Sequence, residues 1–120
     1  MRYMLLIYAN TATWEALSEE ERAALGREHA ALVRELVASG EWVGGSPLAD
    51  ESQSRTVRVR DGVPAVTDGP FAEAKEHLAG YDLVDCDGPE RAAEIAARIP
   101  DARLCAVEVR PLLDLAEFGM

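Results

Sequence analysis

The first residues, RYMLLIY at 2–8, are apolar almost without interruption. A strand with one wet face alternates with period two, so this run predicts a strand covered on both faces. Asn10, Thr11 and Thr13 follow as a loop with capping character. The period then changes. Between 18 and 39, Leu25, Leu32, Val33, Leu36 and Val37 recur at helical spacing and mark one apolar stripe. Ser18 with Glu21 forms a capping box, Glu19 and Glu20 suit the positive end of the dipole, and Gly40 is placed to end the helix.

Residues 41–54 begin as a short strand, EWV, and continue as a loop through Gly44, Gly45, Ser46 and Pro47. RTVRVR at 55–60 alternates strictly, which predicts a half-buried strand with Val57 and Val59 inward. Asp61-Gly62 is a hairpin turn signal, and 63–67 returns as a second strand that Pro64 confines to an edge. GYDLVDC at 80–86 reads as a further strand. Pro89 then opens a helix with Ala92, Ile95, Ala96 and Ile99 on its buried face, and Pro100 ends it. RLCAVEV at 103–109 is the last major strand, stopped by Pro111. Leu112, Leu113, Leu115 and Phe118 lie in a tail over 112–120 that is expected to pack on the domain of 1–111 or on a partner.

The order is βαββαβ with an extra hairpin in its middle, an α+β arrangement. Right-handed crossovers place both helices on one face of the sheet. The first strand nevertheless asks for cover on both faces, and the chain has no third long helix. A second copy of the same sheet is the expected cover, which makes a homodimer.

Composition narrows the function classes. At 120 residues and 13.0 kDa the chain is one domain, and 48% hydrophobic with 28% charged residues excludes disorder as its main state. No run of about 18 apolar residues is present, and no small-x-small cleavage pattern follows the first strand, so a cytoplasmic protein is expected. A net charge of −10 repels phosphate backbones and anionic lipid, which argues against nucleic-acid and membrane partners. Cys86 and Cys105 form no CxxC and have no His pair at zinc-finger spacing, so they read as small buried hydrophobes rather than metal ligands. GxxxxGK[ST] and GxGxxG are both absent, and no haem or flavin ligand pattern stands out, so no cofactor is expected.

Among residues that carry chemistry, His29 comes first. Counting about 100° per residue from Leu25, His29 falls at about 40°, Leu32 at about −20° and Leu36 at about 20°, so His29 lies within the apolar stripe and points at the sheet. It reads as a general base near neutral pH or as a core histidine bonded to a backbone carbonyl. Asp68, at the end of the hairpin's return strand, either orients that imidazole or merely closes an Asx-turn. Asp50, in the loop after Gly44-Gly45-Ser46-Pro47, competes with Asp68 for the same role. Glu73, Lys75, Glu76 and His77 form a charged cluster in which Lys75 suits an anionic substrate or an enolate. Runs of this kind also serve as plain solvated faces, with His77 exposed. Phe71 and Leu78 look like anchors pinning the loop to the core. Trp14 and Trp42 either line a pocket or fill the core or an interface.

From Asp68 onward the chain reads DGPFAEAKEHLAGYDLVD, which resembles the DGPF signature of YCII-related proteins. MRYMLLIY, VGGSPL, TVRVRDG and RIPDARLCAVEVRP resemble the same family in order and spacing, over roughly residues 1–111. The resemblance implies a ferredoxin-like fold that dimerises as a two-sheet α+β barrel. Through the broader superfamily it also implies a His–Asp acid–base pair lining a cavity between helix and sheet, and one branch of that superfamily eliminates chloride from a chlorinated hydroquinone. Relatives often accompany extracytoplasmic-function sigma factors. Two positions depart from the pattern: Tyr81-Asp82 stands where an aromatic pair is usual, and Ala74 stands where a threonine is usual. Two function classes follow. One is a cofactor-free lyase or isomerase acting on a small polar or phenolic compound, with His29, Asp68 and Asp50 as catalytic candidates and Lys75, Glu73, Phe71 and Tyr81 as substrate contacts. The other is a non-catalytic metabolite-binding or regulatory accessory protein. A plain structural dimer would show neither feature.

Overall fold

A computed structural model describes residues 1–72 and 74–119. Strand β1 (Arg2–Asn10) runs into a short helix α1 (Thr11–Glu15), and the long helix α2 (Glu19–Ser39) follows. The Ser18 hydroxyl accepts from the Glu21 amide, and the Glu21 carboxylate accepts from the Ser18 amide, so the capping box is complete. Helix α2 leads into β2 (Trp42–Pro47), a 3₁₀ turn at Glu51–Gln53, the hairpin β3 (Arg55–Arg60) and β4 (Val63–Asp68), and β5 (Glu76–Asp85). Helix α3 (Pro89–Arg98), one turn of α4 (Asp101–Leu104) and β6 (Ala106–Pro111) complete the domain, and a 3₁₀ turn at Leu115–Phe118 lies in the tail.

β2, β5, β1 and β6 pair in that order, antiparallel throughout, which is the ferredoxin-like arrangement. Tyr3, Leu5 and Ile7 of β1 point to the helices and are buried with Leu32 and Leu36 of α2, Val84 of β5, and Ala92, Ile95 and Ile99 around α3. Register sends the alternate residues the other way. Met4, Leu6 and Tyr8 face away from the helices, and so do their partners Leu83, Tyr81 and Leu78. The shortest dimension of the molecule is 18 Å, the thickness of one sheet and one helix layer, so this second face is left open. The apolar run in β1 thus has the two-sided character expected of it, with one side filled by the chain itself. No described helix is long and apolar enough to cross a membrane.

The hairpin stands apart from the four-stranded sheet. Asp61 and Gly62 both have positive φ, 51° and 77°, the geometry that a two-residue turn needs to match strand twist. β3 and β4 pair only with each other, and Val57 and Val59 are 59% and 65% exposed, where alternation predicts them inward. Alternation reports a strand with two unlike faces, and here both faces of the hairpin are largely exposed. The arm also explains why the radius of gyration, 16.6 Å, exceeds the roughly 14 Å of a compact chain this long. Phe71 and Leu78, expected as anchors, are 75% and 40% exposed; the Arg58 guanidinium lies 5.2 Å from the Phe71 ring centroid. Residues 103–105 are not strand. Proline is compatible with a first helical turn, so the chain beyond Pro100 forms α4 before β6 begins.

Candidate functional site

The site is built where α2 crosses β5. Pairing of Leu5 with Asp82 turns the Asp82 side chain towards the helices, into the apolar layer. Asp82 is 3% exposed, and a carboxylate buried to that degree requires a partner. His29 supplies it: Nε2 of His29 lies 2.7 Å from Oδ2 of Asp82. An ionised carboxylate only accepts, so Nε2 carries the hydrogen and donates it. In the neutral imidazole the lone pair is then on Nδ1, which has no hydrogen-bond partner among the described residues. The bond to Asp82 raises the His29 pKa above its usual value; partial burial opposes this, and the Asp82 and Asp101 charges reinforce it.

Close approach of β2 makes the pair possible. A Cβ on Gly45 would lie 2.6 Å from Asp82 Oδ1, 2.6 Å from the Tyr81 carbonyl oxygen and 2.8 Å from the Trp42 ring. Only glycine fits there. Its neighbour Gly44 has no atom within 4 Å of the corresponding position.

A cleft of about 670 Å³ opens beside the pair. Ile7, Trp14, Leu25, Val33 and Trp42 give it an apolar wall, and Glu15, Arg22, His29, Asp50, Asp82 and Asp101 supply polar groups. This volume lies within the range of sites for small organic ligands. Asp101, half-buried at the start of α4, has its pKa raised chiefly by burial. Arg22 donates from Nε and Nη2 to the Trp14 carbonyl, at 3.1 and 3.0 Å, with its guanidinium 5.5 Å from the Trp14 ring centroid. A second cavity, about 870 Å³, lies between the hairpin and β5 and includes Tyr8, Arg55, Phe71 and His77 in its lining. His77 and Asp50 border both spaces. His77 is half-buried, not exposed as expected, and its Nδ1 is buried with no hydrogen-bond partner among the described residues.

The structure separates the residues singled out by sequence. His29 points at the sheet, as its helical phase requires. Its carboxylate partner, however, is Asp82. The Asp68 side chain is 96% exposed on the hairpin, 3.9 Å from Arg55 Nε. Asp50 accepts from the Ser52 amide at 3.0 Å and caps the short turn that follows; its carboxyl is held below the usual range by the Ser52 hydroxyl and amide. It still borders the cleft, so it is a neighbour of the pair without being part of it. Tyr81 points to the helix-free face, opposite Leu6, and is not in the cleft. Lys75 is exposed and borders neither cavity; Phe71 belongs to the second one. Glu73 lies outside the described residues. Trp14 and Trp42 both line the cleft, with Trp42 also packed on the core.

Asp82, Asp101 and Gly45 are the residues that sequence reasoning missed. Asp82 had a signal: it is a charge set between the apolar neighbours Tyr81 and Leu83 in a strand. Neither thiol has nucleophilic character. Burial pushes the Cys105 pKa up to about 11, helped by its hydrogen bond to Glu76 at 3.0 Å, and burial likewise raises that of Cys86. Among the described residues, no group of three or more His, Cys, Asp or Glu side chains is placed to hold a metal ion.

The family model of the YCII-related domain matches residues 1–116. An uncharacterized protein of Rhizobium meliloti (strain 1021) is 34% identical over 114 residues, covering 93% of this chain and 92% of that protein.

Proposed function

The chain belongs to the YCII-related domain family, and we propose that it is a cofactor-free proton-transfer enzyme of the lyase or isomerase type, acting as a homodimer. The observation that supports this reading is the 2.7 Å contact between His29 and Asp82 at the edge of a cleft with an apolar wall. Asp82 holds the imidazole in one orientation and one tautomer and stabilises the imidazolium that forms when Nδ1 takes a proton. His29 Nδ1 is then the group that removes a proton from a bound carbon acid or phenol. It returns that proton at a second position in an isomerisation, or to a leaving group in an elimination. The hydrogen bond to Asp82 raises the His29 pKa, which makes the imidazole a stronger base for this step.

The dimer rests on the open face. Met4, Leu6, Tyr8, Leu83 and Tyr81 form an apolar surface on a sheet only one helix layer thick. A second copy covers that surface with its own equivalent, by a two-fold axis that brings like residues together. The apolar tail, with Leu113, Leu115 and Phe118 each more than half exposed, lies at the end of the edge strand β6 and adds to that interface.

Deuterium uptake from D₂O tests the reaction. Small phenols and carbonyl compounds that bind the cleft are incubated with wild type and with His29→Gln. Exchange by wild type and its loss in His29→Gln are expected. Bound compounds that exchange no faster with wild type than in buffer would refute proton transfer and leave a metabolite-binding protein.

A further inference from the structure

The charges around the cleft are unequal. Among the described residues, four carboxylates border it, Glu15, Asp50, Asp82 and Asp101, against a single guanidinium, Arg22. Asp82 is matched by His29, and Arg22 is turned back on the Trp14 carbonyl and ring. Asp101 is different. It is half-buried beside the pair, near enough for its charge to act on His29, and no salt bridge or side-chain hydrogen bond satisfies it among the described residues. Its carboxylate accepts from its own backbone amide, but partial burial without a cationic partner remains unfavourable, and an incoming cation relieves it. The rest of the molecule acts in the same direction, since the chain carries a net charge of −10. Much of the remaining lining is hydrocarbon and indole.

We propose that the cleft selects small aromatic amines, receiving the ammonium group on Asp101 and the ring on the wall formed with Trp14 and Trp42. The inference rests on the cleft being the ligand site and adds which ligands enter it. Carboxylates and phosphates of the same size are rejected, because they would meet three unmatched negative groups with one engaged arginine to offset them. Asp101 is accordingly a specificity residue; the proton is handled by His29.

Tyramine, 4-ethylphenol and 4-hydroxyphenylacetate share a ring and hydroxyl and differ in charge, so they form the test series. Binding is followed by tryptophan fluorescence and by amide shifts at Gly45 and Ala79. Tyramine is expected to bind at least tenfold more tightly than 4-hydroxyphenylacetate, with 4-ethylphenol between them. Asp101→Asn should close most of that gap, weakening the amine and strengthening the acid. Asp87→Asn changes net charge equally at an exposed position outside the cleft and should leave the gap intact. Equal or tighter binding of the acid overturns the inference. So does an absence of tyramine-induced shifts at the cleft, or a gap that Asp101→Asn and Asp87→Asn reduce alike. Amine preference without deuterium exchange would refute the proposed reaction and leave this inference standing; exchange without amine preference would do the reverse.

Discussion

Gly44 and Gly45 are adjacent in sequence, and the structure predicts opposite outcomes for the same substitution. In Gly45→Ala the new methyl carbon would sit 2.6 Å from Asp82 Oδ1 and from the Tyr81 carbonyl oxygen, where ordinary contact begins at 3.4 Å. About 0.8 Å of movement is therefore required. The Tyr81 carbonyl belongs to the strand paired with β2, and Asp82 is tied to His29, so neither yields freely. Overpacking of this kind costs about 1–3 kcal/mol. For a domain of this size that corresponds to roughly 3–15 °C in Tm. In Gly44→Ala the added carbon meets nothing within 4 Å, and a change within about 0.5 kcal/mol is expected. Thermal unfolding at one protein concentration compares the two, and NMR titration of His29 reads the site. Gly45→Ala should also lower the His29 pKa towards its ordinary value, because the displaced carboxylate no longer accepts from Nε2. Equal melting temperatures for the two variants, or a destabilised Gly45→Ala with an unmoved His29, would refute the claim that this glycine exists to admit Asp82.

Other perturbations have equally definite outcomes. Glu41 accepts from both Nε and Nη2 of Arg91 at 2.8 Å, tying the start of β2 to α3, and its pKa is lowered to about 2. A depressed carboxylate stabilises the fold above its ordinary pKa and loses that contribution as pH falls towards 2; Glu41→Gln should cost roughly 1–2 kcal/mol in urea unfolding at pH 7, after allowance for the partial exposure of Arg91, and the gap to wild type should shrink as pH falls from about 4.5 to 2. Leu36→Ala, at a position 1% exposed between α2 and the sheet, should lose about 2–5 kcal/mol by the same method. Leu6→Asp places a charge at the centre of the helix-free face and should convert a dimer of 13.0 kDa protomers to monomer in light scattering; a wild type that is already monomeric would remove the dimer from the account.

Much of the fold is legible in sequence, because the βαββαβ order follows from local patterns that tertiary packing does not override. The capping box of α2, the Asp-Gly turn and the 3.6-residue stripe each depend on neighbours a few residues apart. The helical phase of His29 is legible for the same reason. Its partner is not, since Asp82 is 53 residues away and only the pairing of β5 with β1 turns it towards α2. Read along the chain, Asp82 replaces an expected aromatic; read in space, it is a buried carboxylate facing an imidazole. Asp68 and Asp50 attracted the role through their turn context, yet turn residues lie on surfaces, and both satisfy local needs. The exposure of Val57, Val59 and Phe71 is illegible for a different reason. Periodicity reports which residues share a face, but nothing in it reports whether another element reaches that face.

One experiment bears most directly on the central claim. The nitrogen and proton resonances of His29, followed through a pH titration in wild type and in Asp82→Asn, report tautomer and pKa together. The account predicts an Nε2–H tautomer for the neutral ring, with a pKa above the ordinary histidine value that falls when Asp82 loses its charge. Because the folded pKa is raised, the pair stabilises the protein fully below the unfolded histidine pKa of about 6.5, and that stabilisation disappears as pH rises through the folded value. The stability difference between wild type and Asp82→Asn must therefore be larger at pH 6 than at pH 9. An Nδ1–H tautomer, or a titration identical in the two proteins, would contradict it.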